Sequence, residues 1–140
     1  MHSAACLILV ALLANPGESA PSPTVQVSER PTYVSPDRTT LVQIILEGES
    51  AAVSRITALP GARIPVHTHD GADELLVIEA GAGEMTLGER RFTVSAGQAV
   101  RIPRGTPHTF RHAGKGPLRA LQTYAPAGPE QRFKKWKVLK

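Results

Sequence analysis

Three histidines and one glutamate in this 140-residue chain stand at spacings that metal chemistry can use. His67 and His69 lie two apart in a run flanked by Ile64, Pro65 and Val66. On a strand, residues i and i+2 share a face about 6.6 Å apart, so both imidazoles could reach one ion. Asp70-Gly71-Ala72-Asp73 follows as a turn signal, and Glu74 opens the apolar run from Leu75 to Ile78. A hairpin there would fold the carboxylate back beside the two histidines. A second segment, Gly97 to His112, reads as strand at Val100 and Ile102 and as turn from Pro103 to Pro107, with His108 at the next strand start. Two turn-delimited segments that each deliver histidine at a strand start argue for one convergent site.

These residues resemble the two motifs of the cupin superfamily. Gly61, His67, His69, Glu74 and Gly81 fall at the intervals of the first motif, and Gly97, Pro103, Gly105 and His108 at those of the second, without a gap in either. The segment Ala82 to Ala96 between them resembles the short spacer of small, single-domain bacterial cupins. One departure is His112, where the family often has Asn. The resemblance covers residues 41–125 and implies an all-β double-stranded β-helix, the jelly-roll cupin barrel. It also implies one divalent transition metal held by His67, His69, Glu74 and His108. A lone His-x-His is more often a solvated or hydrogen-bonded core pair than a ligand pair, but four candidates matching two motifs favour the metal. His112 shares a face with His108 but lies roughly 13 Å along the strand, too far to join an ion with bonds of about 2 Å.

Such a centre would leave open coordination positions for water, dioxygen or a chelating substrate. The mature chain would offer nitrogen and oxygen donors without thiols, a set that favours iron or manganese and admits zinc, nickel, copper or cobalt. In the family this arrangement hosts dioxygenases, decarboxylases, lyases and isomerases, and some members only bind small ligands. The leading expectation is a small-molecule enzyme of the oxygen-using, dioxygenase-like kind. A metal-dependent isomerase or lyase working through an enolate comes second, and a non-catalytic metal or small-ligand binding module third. Arg55, Arg101, Phe110, Gln122 and Tyr124 belong to strands that line or flank the barrel mouth in the family. Arg55 or Arg101 would clamp a carboxylate, and Tyr124 would donate a proton. Each equally admits an outward-facing reading, because a one-residue register change reverses the face.

The elements that must position these groups are short strands punctuated by glycine and proline. They read as 41–46, 51–59, 64–69, 74–79, 84–87, 91–94, 99–102, 108–111 and 118–124, with no helical period of useful length and no internal repeat. Residues 1–20 read as a signal peptide: the apolar run Cys6 to Ala14 is short for a membrane span, and small residues follow at Gly17 to Ala20. The segment ahead of that run has no Lys or Arg, and an uncleaved anchor or a misassigned start codon is the alternative. Cys6 is the only cysteine, so the exported chain, periplasmic or extracellular, would lack disulfides and any stable membrane span. Prolines at 21, 23, 31 and 36 make residues 21–40 an extended arm, either a linker or a strip laid along the barrel or a partner subunit. The tail, 126–140, has Arg132, Lys134, Lys135, Lys137 and Lys140 against Glu130, which accounts for the whole formal excess of +4. Phe133 and Trp136 interleave with these charges. The favoured reading docks the aromatics on the barrel and solvates the lysines, with no nucleic-acid partner. A homodimer is expected, as the simplest way to cover sheet edges.

Overall fold

The computed structural model describes residues 23–140, so the expected signal peptide at 1–20, Cys6 included, lies outside the described residues. The chain forms a short 3-10 helix, Val27–Glu29, and then the strands β1 Thr32–Val34, β2 Thr40–Glu47, β3 Ala52–Ala58, β4 Arg63–His67, β5 Asp73–Ala80 and β6 Ala82–Leu87. It continues through β7 Arg90–Ser95, β8 Ala99–Ile102, β9 His108–Ala113 and β10 Leu118–Ala125, and ends with a 3-10 helix Pro129–Lys135 and β11 Lys137–Val138. The strands make two antiparallel sheets, one ordered β11-β1-β2-β3-β10-β5-β8 and the other β4-β9-β6-β7. This is the all-β jelly roll.

Period-two burial follows from the alternating pattern of the strands. On β10, Leu118, Ala120, Gln122 and Tyr124 turn inward while Arg119 is exposed. On β5, Glu74 and Ile78 are buried while Leu75 and Val77 face solvent. Ile78, Ile102, Leu118 and Ala120 of the larger sheet meet Met85 and Val94 of the smaller one in a single buried cluster. The core is therefore the space between the sheets, and inward polar residues sit on the same faces as the core.

Two expectations about the first motif are corrected. β4 and β5 do not form a hairpin, for β4 pairs with β9 in the smaller sheet while both edges of β5 are taken by β10 and β8. The turn between them crosses the barrel, because the apolar face of β5 is buried only when it looks across at the opposite sheet. The strand also stops at His67, and His69 stands beyond it with its carbonyl accepting the Gly105 N–H at 3.0 Å. That bond ties the loops of both motifs together.

The sheet reaches past residues 41–125 at both ends. β1 pairs with β2, and β11 pairs with β1 by the register Tyr33↔Val138 and Val34↔Lys137. The arm thus lies along its own barrel, with Gln43 Nε2 donating to the carbonyls of Val27 and Arg30. Phe133 is buried among Val42, Ile44, Ile56 and Tyr124, and Trp136 packs against the same group. Lys134 reaches Glu47 at 2.7 Å, and Lys135, Lys137 and Lys140 are exposed.

Candidate metal centre

His67 closes β4, Glu74 lies at the start of β5 and His108 opens β9, so each candidate ligand is delivered where a strand meets a loop. The pairing His67↔His108 aligns two of them across the smaller sheet. Glu74 comes from the opposite sheet and His69 from the crossing turn. Ring centroids stand 4.1 Å apart for His67 and His108, 4.9 Å for His67 and His69, and 5.1 Å for His69 and His108. One donor atom from each of the four residues lies within 4.8 Å of all the others. His69, Glu74 and His108 are buried at 7%, 4% and 4% exposure.

The outward ring nitrogens are already occupied. His67 Nδ1 is 2.8 Å from the Pro65 carbonyl and His108 Nδ1 2.9 Å from the Thr106 carbonyl. A carbonyl only accepts, so each Nδ1 carries the proton and each Nε2 keeps its lone pair for the centre. Glu74 Oε2 sits 3.1 Å from His69 Nε2 and 3.2 Å from His108 Nε2. Despite those short distances, Glu74 Oε2 and His108 Nε2 are buried without a hydrogen bond of acceptable geometry. Ligands about 2.1 Å from a shared ion at right angles lie roughly 3 Å apart, which is the spacing seen here. The four residues could hold a metal ion, and these orphaned donors fit one.

The electrostatics agree with the geometry. Burial pushes the Glu74 carboxyl up, but the close approach of His108 and His69 and the hydrogen bond from Gln122 outweigh it and hold the group at about 2. Burial lowers His67, whose ring is therefore neutral and ready to ligate at neutral pH. Burial also opposes the charge on His108, yet its contact with Glu74 wins and raises it.

Gln122 and Tyr124 turn inward from β10 beside the cluster. Gln122 Nε2 donates to Glu74 Oε1 at 2.5 Å, which orients the carboxylate. Tyr124 Oη is 3.5 Å from His69 Nε2, and burial, reinforced by the nearby Glu74 charge, pushes its phenol well above the ordinary range. Phe110 lines the interior. Arg55 and Arg101 do not join the site. Arg55 alternates with the buried Ser54 and Ile56 and pairs with Glu79 at 3.9 Å, while Arg101 is exposed and pairs with Asp73 at 3.4 Å. The register of β3 and β8 turns both outward. His112 is also outside the cluster, its Nε2 donating to the Gly116 carbonyl at 2.7 Å.

One residue at the site had no motif to announce it. Arg132, from the C-terminal 3-10 helix, donates to Tyr124 Oη at 3.1 Å. A cavity of about 60 Å³ runs from His67, Glu74 and His108 into apolar walls of Leu76, Ile102 and Phe110. A wider cleft of about 440 Å³ shares His67, Gln122 and Arg132 with it and opens outward past Pro65 and Trp136.

Residues 54–124 match the family described as "Cupin domain". The chain belongs to the cupin family. Among curated proteins, this cupin is 35% identical over 89 residues to Germin-like protein 1 of Brassica napus, covering 60% of this chain and 43% of that one. It is 32% identical over 79 residues to a mannose-1-phosphate guanylyltransferase of Salmonella muenchen, covering 56% of this chain and 17% of that protein. The cupin thus spans less than half the length of either relative. Among solved structures it resembles an RmlC-like cupin from Shewanella frigidimarina NCIMB 400, with TM-score 0.69, 14% identity and coverage of 79% and 96% of the two chains. KdgF from Halomonas sp. gives TM-score 0.67 at 18% identity over 77% of this chain and 97% of that one. At these identities the structural likeness establishes the fold.

Proposed function

We propose that this cupin is a metal-dependent enzyme acting on a small organic molecule, and that its reaction is an oxygen-using, dioxygenase-like oxidation. The observation that supports the metal is the pair of buried, unpartnered atoms Glu74 Oε2 and His108 Nε2, each held in place by bonds on its far side. His67, His69, Glu74 and His108 are the residues that would hold it. When bound, a divalent iron or manganese supplies both a Lewis acid and a one-electron couple suited to dioxygen. The oxidative reading is supported by this all-nitrogen-and-oxygen donor set and by the apolar walls of the cavity beside it.

Around that centre the protein's own groups have distinct tasks. Gln122 keeps Glu74 oriented, and the carbonyls of Pro65 and Thr106 fix the tautomers of His67 and His108. Tyr124 keeps its proton, since burial and the Glu74 charge oppose ionisation, and its Oη, which accepts from Arg132, stands 3.5 Å from His69 Nε2 and braces that ring. The second reading is an isomerase or lyase in which the same His67, His69, Glu74 and His108 set would hold a metal that stabilises an enolate.

The test begins with elemental analysis of protein purified without chelators. The apoprotein is then reconstituted with each metal in turn, and oxygen uptake is followed with enolisable acids, ketones and phenols. Oxygen consumption with iron or manganese is the expected result. Activity confined to zinc, or equal turnover under nitrogen, places the enolate reading first, and ligand retention without turnover leaves a binding module.

A further inference from the structure

The C-terminal 3-10 helix returns one cation toward the metal centre. Arg132 lines the inner cavity together with His67 and Glu74, and the outer cleft together with Gln122 and Trp136. Its guanidinium donates to Tyr124 Oη at 3.1 Å and lies over the Phe133 ring, 4.8 Å from the centroid. Among the described residues Arg132 forms no ion pair, whereas Lys134, two residues on, reaches Glu47 at 2.7 Å. Glu74, the carboxylate at the centre, accepts from Gln122 on Oε1 and turns Oε2 toward His69 and His108.

A guanidinium presents five N–H donors in a planar fork, and the phenol oxygen of Tyr124 uses one side of it. A half-buried cation with spare donors and no carboxylate within ion-pair distance is a site for an anion. The cleft that this cation faces, about 440 Å³, is lined by Val42, Pro65, Phe133 and Trp136 as well as by Asp37 and Arg63, and the four apolar residues offer a surface for the rest of the ligand. A phosphate would need donors for three oxygens; the single fork of Arg132 suits two. We propose that the substrate is an organic carboxylate with a compact apolar body, its carboxylate gripped by Arg132 where cavity and cleft join, and its body against Trp136 and Pro65. The chemical step rests on the metal-enzyme reading above, but binding by Arg132 does not.

Trp136 is the only tryptophan of the chain, so its fluorescence reports ligand entry into the cleft. Titrate the full-length protein, as purified and after chelator treatment, with cyclohexanecarboxylate, with the neutral isostere cyclohexanecarboxamide, and with inorganic phosphate. The carboxylate is expected to bind about tenfold more tightly than the amide in both preparations, as a charge-assisted fork implies. Arg132→Gln erases that preference, and Arg132→Lys, which keeps the charge without the fork, retains part of it. Equal binding of acid and amide by the wild type overturns the assignment whether or not the variants fold. So does tighter binding of phosphate, or a folded Arg132→Gln protein that keeps the preference through its metal. If the purified protein proves metal-free while the preference still depends on Arg132, the metal reading falls and the carboxylate site stands.

Discussion

Gln122 is the residue whose role the geometry defines most narrowly. It is buried on β10 and its amide supplies the hydrogen bond to Glu74 Oε1. Gln122→Leu keeps the volume and removes the donor, so metal affinity is expected to fall about 10–100-fold, measured by competition with a chromogenic chelator. The titrations of Glu74 and His108 predict opposite pH effects on the metal-free protein. Glu74 is lowered from an ordinary 4.5 to about 2, so its contribution is complete above pH 4.5 and is lost as the pH falls toward 2. His108 is raised from an ordinary 6.5, so its contribution is complete below that value and is lost as the pH rises through the folded one. Metal requires the neutral imidazole, so the stabilisation added by metal grows from roughly pH 5 to 8 while the His108 contribution to the apoprotein declines. Melting curves across that range, with and without a divalent ion, check both slopes.

At the scale of elements, the site depends on two loops at one end of the barrel being held together. The Gly105 N–H bond to the His69 carbonyl needs a backbone at φ +72°, which glycine adopts without strain. Gly81, between β5 and β6, has φ +79°, and an added Cβ would stand 2.6 Å from the Leu118 Cα and from the Pro117 carbonyl oxygen. Backbone cannot yield as a side chain can. Gly81→Ala is therefore expected to cost about 2–4 kcal/mol in urea unfolding, with no direct loss of ligand groups. The closing 3-10 helix places Phe133 in the core beneath Arg132, so Phe133→Ala is expected to cost about 3 kcal/mol and to release the Arg132 contact with Tyr124.

For the whole molecule, the ligands come from both sheets and from the turn that crosses between them, and this arrangement exists only in the folded chain. A bound ion then stabilises the native state by mass action. At a hundredfold excess over its dissociation constant it is expected to raise Tm by about 10 °C, and His69→Ala is expected to lose most of that increment. An unchanged metal content in His69→Ala and Glu74→Ala would remove the site. We also propose a homodimer, with light scattering as its check: a mass of 14.9 kDa for the chain as written, rather than about twice its monomer mass, rules it out.

The four candidate ligands were legible in the sequence because each sits at a junction of strand and turn, and such junctions are written locally in glycine, proline and alternating apolar residues. The nine central strands were legible for the same reason, to within a residue or two at most ends. What the spacing of His67, His69 and Glu74 did not contain was the sheet to which each strand belongs. The same turn residues serve a hairpin or a crossing, and the choice fell to the edges of β5, both taken by strands distant in sequence. Arg55 and Arg101 turned outward because a face is set by register against neighbouring strands, which no single strand specifies. Arg132 read only as one charge of a basic tail. Its place beside Tyr124 was decided by Phe133 packing next to Val42 and Ile56, roughly eighty to ninety residues earlier in the chain. That packing is a property of the closed barrel rather than of the segment itself.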